Sequence, residues 1–299
     1  MLTPLAWLVP HVPTLLVDSI RGHRTPMLAA LEDLSHLLFE DRPGAVVVVS
    51  ARWQTNGPFM VDAGKRHRTL TDYSGFGVEV RYDCNGQPAL AKALIAAGAK
   101  AGVRTAASTR GVDSGVAVPM SFLIPDKSVP VVPVSVADRP IDECRAWGAA
   151  MARAVDNWPD PVLFVVGGLL SFDPHAWQLS RDVPAQTDFD ERVLAALGDG
   201  EWDALDHERR ALAAAGDRTT GDAVLVEGEL RHLEILRGFL GADVMGDLRC
   251  YEGGSGMGAA LMAFEVPGAP PPREPGSGAD SFPVDDEVLE ADDELPKHE

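Results

Sequence analysis

A histidine held between two prolines is the first feature of this 299-residue chain that could do chemistry. In Leu8-Val9-Pro10-His11-Val12-Pro13 the prolines fix φ and keep their predecessors extended. His11 therefore has a stiff backbone just past the apolar run Leu5 to Val9, which reads as a short buried strand. Open α/β sheets bind ligands at strand ends, and a rigid imidazole there suits a metal ligand or an acid–base group. A lone histidine is more often a partly buried structural residue. The other candidates follow segments that also read as strands or helices: Arg52 after a valine run, Asp113-Ser114-Gly115, Phe172, and the acids Glu227 and Glu229. A two-histidine, one-carboxylate iron site needs three ligands on one face and open positions opposite. His11 and Glu229 supply two of them. Glu227 reads as an exposed first-turn acid favoured by the helix dipole. His67 and His175 sit in polar, loop-like surroundings and read as surface residues. Ser114 beside Asp113 reads as turn chemistry rather than a nucleophile, and Cys250 as a packed thiol.

The elements that must position these residues alternate along the chain. Thr25-Pro26 is an N-cap followed by proline at the first helical position, and Leu28, Leu31, Leu34 and Leu38 mark an apolar face through Glu40. Ala45 to Ser50 is a continuous run of mostly β-branched residues, the pattern of a strand covered on both faces. Alternation over Val78, Val80 and Tyr82 predicts a half-exposed strand. A helix is predicted from Pro88 to Ala97, stopped by Gly98, then a short strand near Val103. Val129 to Val136 reads as a strand whose two prolines suggest an edge position or an irregular ladder. A helix from Asp138-Arg139-Pro140 toward Val155 precedes a buried strand over Pro161 to Val166. Helices are predicted over Asp188 to Leu197, Trp202 to Ala215 and Leu225 to Leu240, with two closing strands around Gly253 to Gly258. That glycine cluster precedes a strand-like segment, so a dinucleotide loop does not fit it. The pattern predicts an α/β fold: a single-domain sandwich with a central, mostly parallel or mixed sheet flanked by helices.

Composition narrows the classes. A hydrophobic content of 45% suffices for a sizeable core, and no apolar stretch approaches a membrane span. No basic leader with a long apolar core opens the chain, which predicts no signal peptide. Three widely spaced cysteines make neither a disulfide framework nor a zinc motif, and a reducing cytoplasm fits them. The formal charge of −19 repels phosphate backbones and argues against nucleic-acid binding. From Pro267 on, ten acidic residues accompany two basic ones. The expected division is a domain over residues 1–266 and a disordered acidic tail over 267–299.

Ordered landmarks then carry a resemblance. They are Pro10-His11-Val12-Pro13, Val46 to Trp53, Asp72-Tyr73-Ser74-Gly75-Phe76, Val112-Asp113-Ser114-Gly115 with Pro119, Val129 to Val136, Val162 to Ser171, and Glu229. By these, from Leu5 to Phe264, the chain resembles the class III extradiol ring-cleavage dioxygenases, the family of the catalytic subunit of protocatechuate 4,5-dioxygenase. The resemblance implies Fe(II) bound by two histidines and a glutamate, with a catechol and O2 at the open positions and further histidines acting on substrate and protons. His11 matches the first ligand and Glu229 the glutamate. In Ser50-Ala51-Arg52-Trp53, arginine stands where the family has its second histidine ligand. Ser114 replaces an active-site histidine after Asp113, and Phe172 replaces the acid–base histidine. Arg52, Tyr73 and His175 become the expected ligand-binding residues. Arginine stays protonated, so Arg52 cannot serve as an ordinary iron ligand and could instead pair with Glu229. The expectation is a family member with a degenerate iron site and weak or absent Fe(II) binding. It would be non-catalytic or a partner subunit, in a homo-oligomer or with a catalytic homologue. Two-subunit aminophenol dioxygenases offer that precedent. The alternatives are an active ring-cleaving enzyme with a rearranged site recruiting His67 or His175, and a binding protein whose Arg52 holds an anionic aromatic.

Overall fold

The valine run lies at the heart of the sheet. In the computed structural model, described over residues 5–70, 77–78, 81–214, 224–241 and 243–266, Val46 to Val49 are fully buried. They belong to β2 (Ala45–Thr55), one of eight strands in a single mixed sheet. The others are β1 (Leu5–Val9), β3 (Phe59–Asp62), β6 (Thr105–Ser108), β7 (Val131–Ala137), β8 (Val162–Gly167), β9 (Gly246–Gly254) and β10 (Met257–Glu265). A two-stranded pair, β4 (Arg66–His67) and β5 (Cys84–Asn85), stands apart. The order is β6-β3-β7-β2-β8-β1-β10-β9. The block β7-β2-β8-β1 is parallel, while β10 and β9 add antiparallel neighbours at one side.

Helices cover both faces. Alternate residues of each strand point into two cores: Val47, Val49, Phe164 and Leu8 into one, Val46, Val48, Val165 and Trp7 into the other. The first core is closed by α3 (Pro88–Lys100), α5 (Ile141–Asp156), α7 (Pro184–Asp199), α8 (Ala204–Ala214) and α9 (Arg231–Leu240). The second is closed by α2 (Pro26–Glu40) and α4 (Ser114–Leu123), with α1 (Pro13–Ile20) packed on α4. A strand buried on both faces has no polar side to alternate with, which is why its sequence reads as an unbroken apolar run. The one-turn α6 (Pro174–Gln178) follows β8.

Several expectations need correction. Of the two readings offered for β7, the edge position fails and the irregular ladder holds: it lies between β3 and β2, with Pro133 opposite Val48 and a break in its pairing with β2 after Ser50. Its proline is tolerated because the β3 side of the ladder has one registered pair, Val61 with Val134, and the Ser135 hydroxyl accepts the Met60 N–H at 2.8 Å. The segment Asp113-Ser114-Gly115 is not a loop but the start of α4, and α1 was not anticipated. α3 runs on through Gly98 to Lys100. The helix expected from Leu225 begins only at Arg231, after a 3-10 turn, Glu227–Leu230. Of the strand expected over Val78, Val80 and Tyr82, Val80 lies outside the described residues, as does the tail from 267.

Candidate functional site

Three strand ends and one turn build the site. β1 delivers His11, 4% exposed, two residues past Val9. β2 delivers Ser50, Arg52 and Trp53 through an irregularity: Ser50 pairs with Ser135, and the next pairing on β7 is Gln54 with Val136. The extra residues Ala51, Arg52 and Trp53 bulge out of the ladder, a device that re-aims side chains next to sites. β8 ends at Gly167, whose Cβ, were there one, would meet the Gly115 carbonyl oxygen at 1.8 Å. Only glycine lets the start of α4 come down on the sheet here.

The turn makes the decisive difference. Gly228, Glu229 and Leu230 all have left-handed φ, at 55°, 54° and 58°. Such values cost non-glycine residues roughly 1–2 kcal/mol each. They swing Glu227 inward and Glu229 outward. Glu227, 5% exposed, takes both carboxylate oxygens to within 2.9 Å of His11 Nε2. The Leu169 N–H donates to its Oε2 at 2.9 Å. Arg52 Nη1 stands 4.0 Å from Oε1, its side chain 48% exposed. Burial pushes the Glu227 carboxyl up, but the His11 charge and hydrogen bond, with the Leu169 N–H, outweigh it and hold the carboxyl below its usual range.

Beside this cluster, Asp113 accepts from Ser50 Oγ at 2.7 Å and from Arg110 Nη1 at 2.7 Å. Arg110 in turn lies 5.2 Å above the Trp53 ring. Asp113 and Ser114 are both buried, so the aspartate ties the start of α4 to the end of β2.

The structure thus brings His11 and Arg52 together, with Asp113 and Ser114 at the neighbouring strand end. It does not bring Glu229 to them. That expectation is corrected: Glu229 is 54% exposed and pairs with Arg231 at 3.1 Å, while Glu227, expected at the surface, occupies the buried position. Phe172 packs near Trp177, ring centroids 6.4 Å apart, and bridges Met257. His175 is exposed in α6, and Tyr73 lies outside the described residues. His67 is not a surface residue: it is buried, near Asp62 at 3.4 Å and the Val131 carbonyl oxygen at 3.0 Å. Neither rescue histidine joins His11.

His232 was missed. It is fully buried in the first turn of α9, its ring packed over Gly168, and among the described residues neither ring nitrogen has a side-chain or backbone partner within hydrogen-bonding geometry. Burial pushes its pKa down to about 4, against the pull of the Glu227 charge. A signal was present: His232, Ile235, Leu236 and Phe239 share the buried helical face.

Fe(II) held as in a two-histidine, one-carboxylate site needs three converging donors. Among the described residues, no three His, Cys, Asp or Glu side chains are grouped to hold a metal ion. His11 Nε2 faces Glu227, and a guanidinium stands at the next position. The residues present do not fit the iron in this arrangement. What they form is a closed cluster of one carboxylate, an imidazole, a backbone N–H and a partly open guanidinium.

Fold and sequence comparison agree on the class. The family described as the catalytic LigB subunit of aromatic ring-opening dioxygenase matches residues 5–262, and this chain belongs to it. Relatives include dioxygenase tasH of Hapsidospora irregularis, 30% identical over 50% of this chain and 46% of that protein, so this chain matches less than half of that relative's length. The 4,5-DOPA dioxygenase extradiol of Beta vulgaris is 27% identical over 62% of this chain and 74% of its own. A crystal structure of an uncharacterized protein from Escherichia coli K12 shares the fold, with a TM-score of 0.60 and 21% identity over 87% of this chain and 98% of that one.

Proposed function

We propose that this chain is an extradiol-dioxygenase family member in which an ion cluster stands in place of the iron centre, and that it acts without ring cleavage of its own, as a partner subunit of a histidine-complete homologue. The observation that carries this reading is the approach of both Glu227 oxygens to His11 Nε2 at 2.9 Å, with Arg52 at 4.0 Å. A carboxylate whose two oxygens are both engaged by an imidazole has little to offer a cation, and a nearby guanidinium repels one. Anaerobic Fe(II) titration of the wild type, His11→Ala and His232→Ala tests it. The expected result is no stoichiometric binding in any of the three. Stoichiometric binding lost in both variants would replace this reading with a metal site built on the buried histidine.

A second reading rests on the exposure of Arg52, whose only ion-pair partner among the described residues, Glu227, is beyond hydrogen-bonding distance. A guanidinium with open donors suits a carboxylate. One relative is named for 2,3-dihydroxyphenylpropionate and 2,3-dihydroxicinnamic acid, both aromatic acids. Under this reading the chain binds an aromatic acid at the old pocket. Dihydroxyphenylpropionate is then expected to raise the melting temperature of the wild type and not of Arg52→Ala; equal shifts in both proteins would exclude it.

A further inference from the structure

A cavity of about 620 Å3 opens beside the turn, among the residues that lead into α5, the second half of α8 and Glu229. Four arginines line it, Arg139, Arg209, Arg210 and Arg231, together with three carboxylates, Asp138, Asp206 and Glu229, in a chain of formal charge −19. A chain of that sign repels anions in general, so a lining in which arginines outnumber carboxylates by one is a local departure from it. The four are unequally engaged. Arg209 is held by the buried Glu234 and by Asp206. Arg231 pairs with Asp138 at 2.8 Å and with Glu229 at 3.1 Å, two carboxylates that are 69% and 54% exposed. Arg139 pairs with Glu143 on its own helix side. Arg210 is exposed, donates to the Asp206 carbonyl oxygen at 3.1 Å, and is in no ion pair among the described residues.

We propose that this cavity binds a small phosphate-class anion, either inorganic phosphate or a phosphomonoester, held by Arg139, Arg210 and Arg231 in competition with the Glu229 carboxylate. Guanidinium forks match phosphate oxygens two at a time. Arg209, neutralised by Glu234 and Asp206, forms a rigid wall and adds no free charge. The exposed Glu229 and Asp138 are replaceable counter-ions, and a dianion offers Arg231 more than either single carboxylate. The left-handed backbone at Glu229 and Leu230 is accounted for in the same way. It turns one glutamate of the pair into the buried cluster and the other into this cavity. The site is independent of the reading of the iron centre.

The test is calorimetric titration of the full chain with inorganic phosphate, and separately with phenyl phosphate, at low salt. One saturable site is expected. Arg139→Gln and Arg210→Gln should each weaken it about tenfold, the loss of one charge-assisted bond. Glu229→Gln should tighten it, since the competing carboxylate is gone, and Arg52→Gln should leave it unchanged. The tighter of the two probes identifies the source. Both arginines tested are partly or fully exposed, and a circular-dichroism melt of each variant checks that it folds. The proposal is overturned by an absence of saturable heat, by binding lost in Arg52→Gln but kept in the Arg139 and Arg210 variants, or by a Glu229→Gln protein that binds no tighter than wild type.

Discussion

Glu227 and Glu229 stand two positions apart and meet opposite surroundings, so they form an internal control at the scale of a single residue. Glu227 is 5% exposed and bonded to His11 and to the Leu169 N–H. Glu229 is 54% exposed and, among the described residues, paired with the Arg231 guanidinium. Breaking a buried pair by removing one charge costs about 3–5 kcal/mol, because the other is left uncompensated. A surface pair contributes about 0–1 kcal/mol. Glu227→Gln is therefore expected to lower the unfolding free energy by about 3 kcal/mol in urea titration, and Glu229→Gln by less than about 0.5 kcal/mol. Equal losses would mean that the two side chains had been assigned to the wrong environments.

At the scale of an element, α7 carries an acid into the first core. Asp190 is 1% exposed, and Ser171 Oγ and the Tyr251 hydroxyl donate to its Oδ2 at 2.8 and 3.0 Å. Among the described residues its Oδ1 has no partner, nor does the buried amide of Gln186 one helical turn earlier. Burial outweighs the two hydroxyl bonds and pushes the Asp190 pKa up to about 6 from 3.8. The folded protein thus holds this proton more tightly than the unfolded chain. Its contribution is complete below about pH 4 and is lost as the pH rises through about 6, amounting to ~3 kcal/mol. Asp190→Asn removes that titration. Relative to wild type, it should gain stability between pH 5 and pH 8 in parallel thermal melts; an unchanged difference across that range would sink the idea.

The same scale shows what could be read from the sequence. The β2 run and the α2 cap were legible because each has a local cause. One is burial on both faces, the other the Thr25 side chain accepting the Leu28 N–H at 3.2 Å. α4 was not legible, because its sequence Ser114-Gly115-Val116-Ala117-Val118-Pro119 is poor in helix formers and has no polar face. Tertiary burial imposes the helix there. For β7 the prolines left an edge or an irregular ladder open, and only the pairing with β2 and β3 selects the irregular ladder. Glu227 and Glu229 were exchanged because a helical phase carried back from α9 assumes right-handed residues, and three left-handed ones reset it. His11 drew attention because an apolar run stops just before it, and Arg52 because it stands where the resemblance expects a histidine.

For the whole molecule, the described residues make one eight-stranded sheet with two main cores and a separate two-stranded pair, and no helix among them is long and apolar enough to cross a membrane. The sheet's chain order has a temporal meaning. β1 is made first, yet its neighbours are β8 and β10, from the middle and the far end of the described chain. A ribosome adding roughly 5–20 residues per second leaves Leu5–Val9 without a strand to join for on the order of ten seconds or more. It waits as an apolar segment with both hydrogen-bonding edges open, and His11 waits with it. The contact between His11 and Glu227 then closes over 216 positions. That bond is among the last things a newborn chain can make, so any nascent chain that stalls before β8 is released with its first strand still seeking an edge.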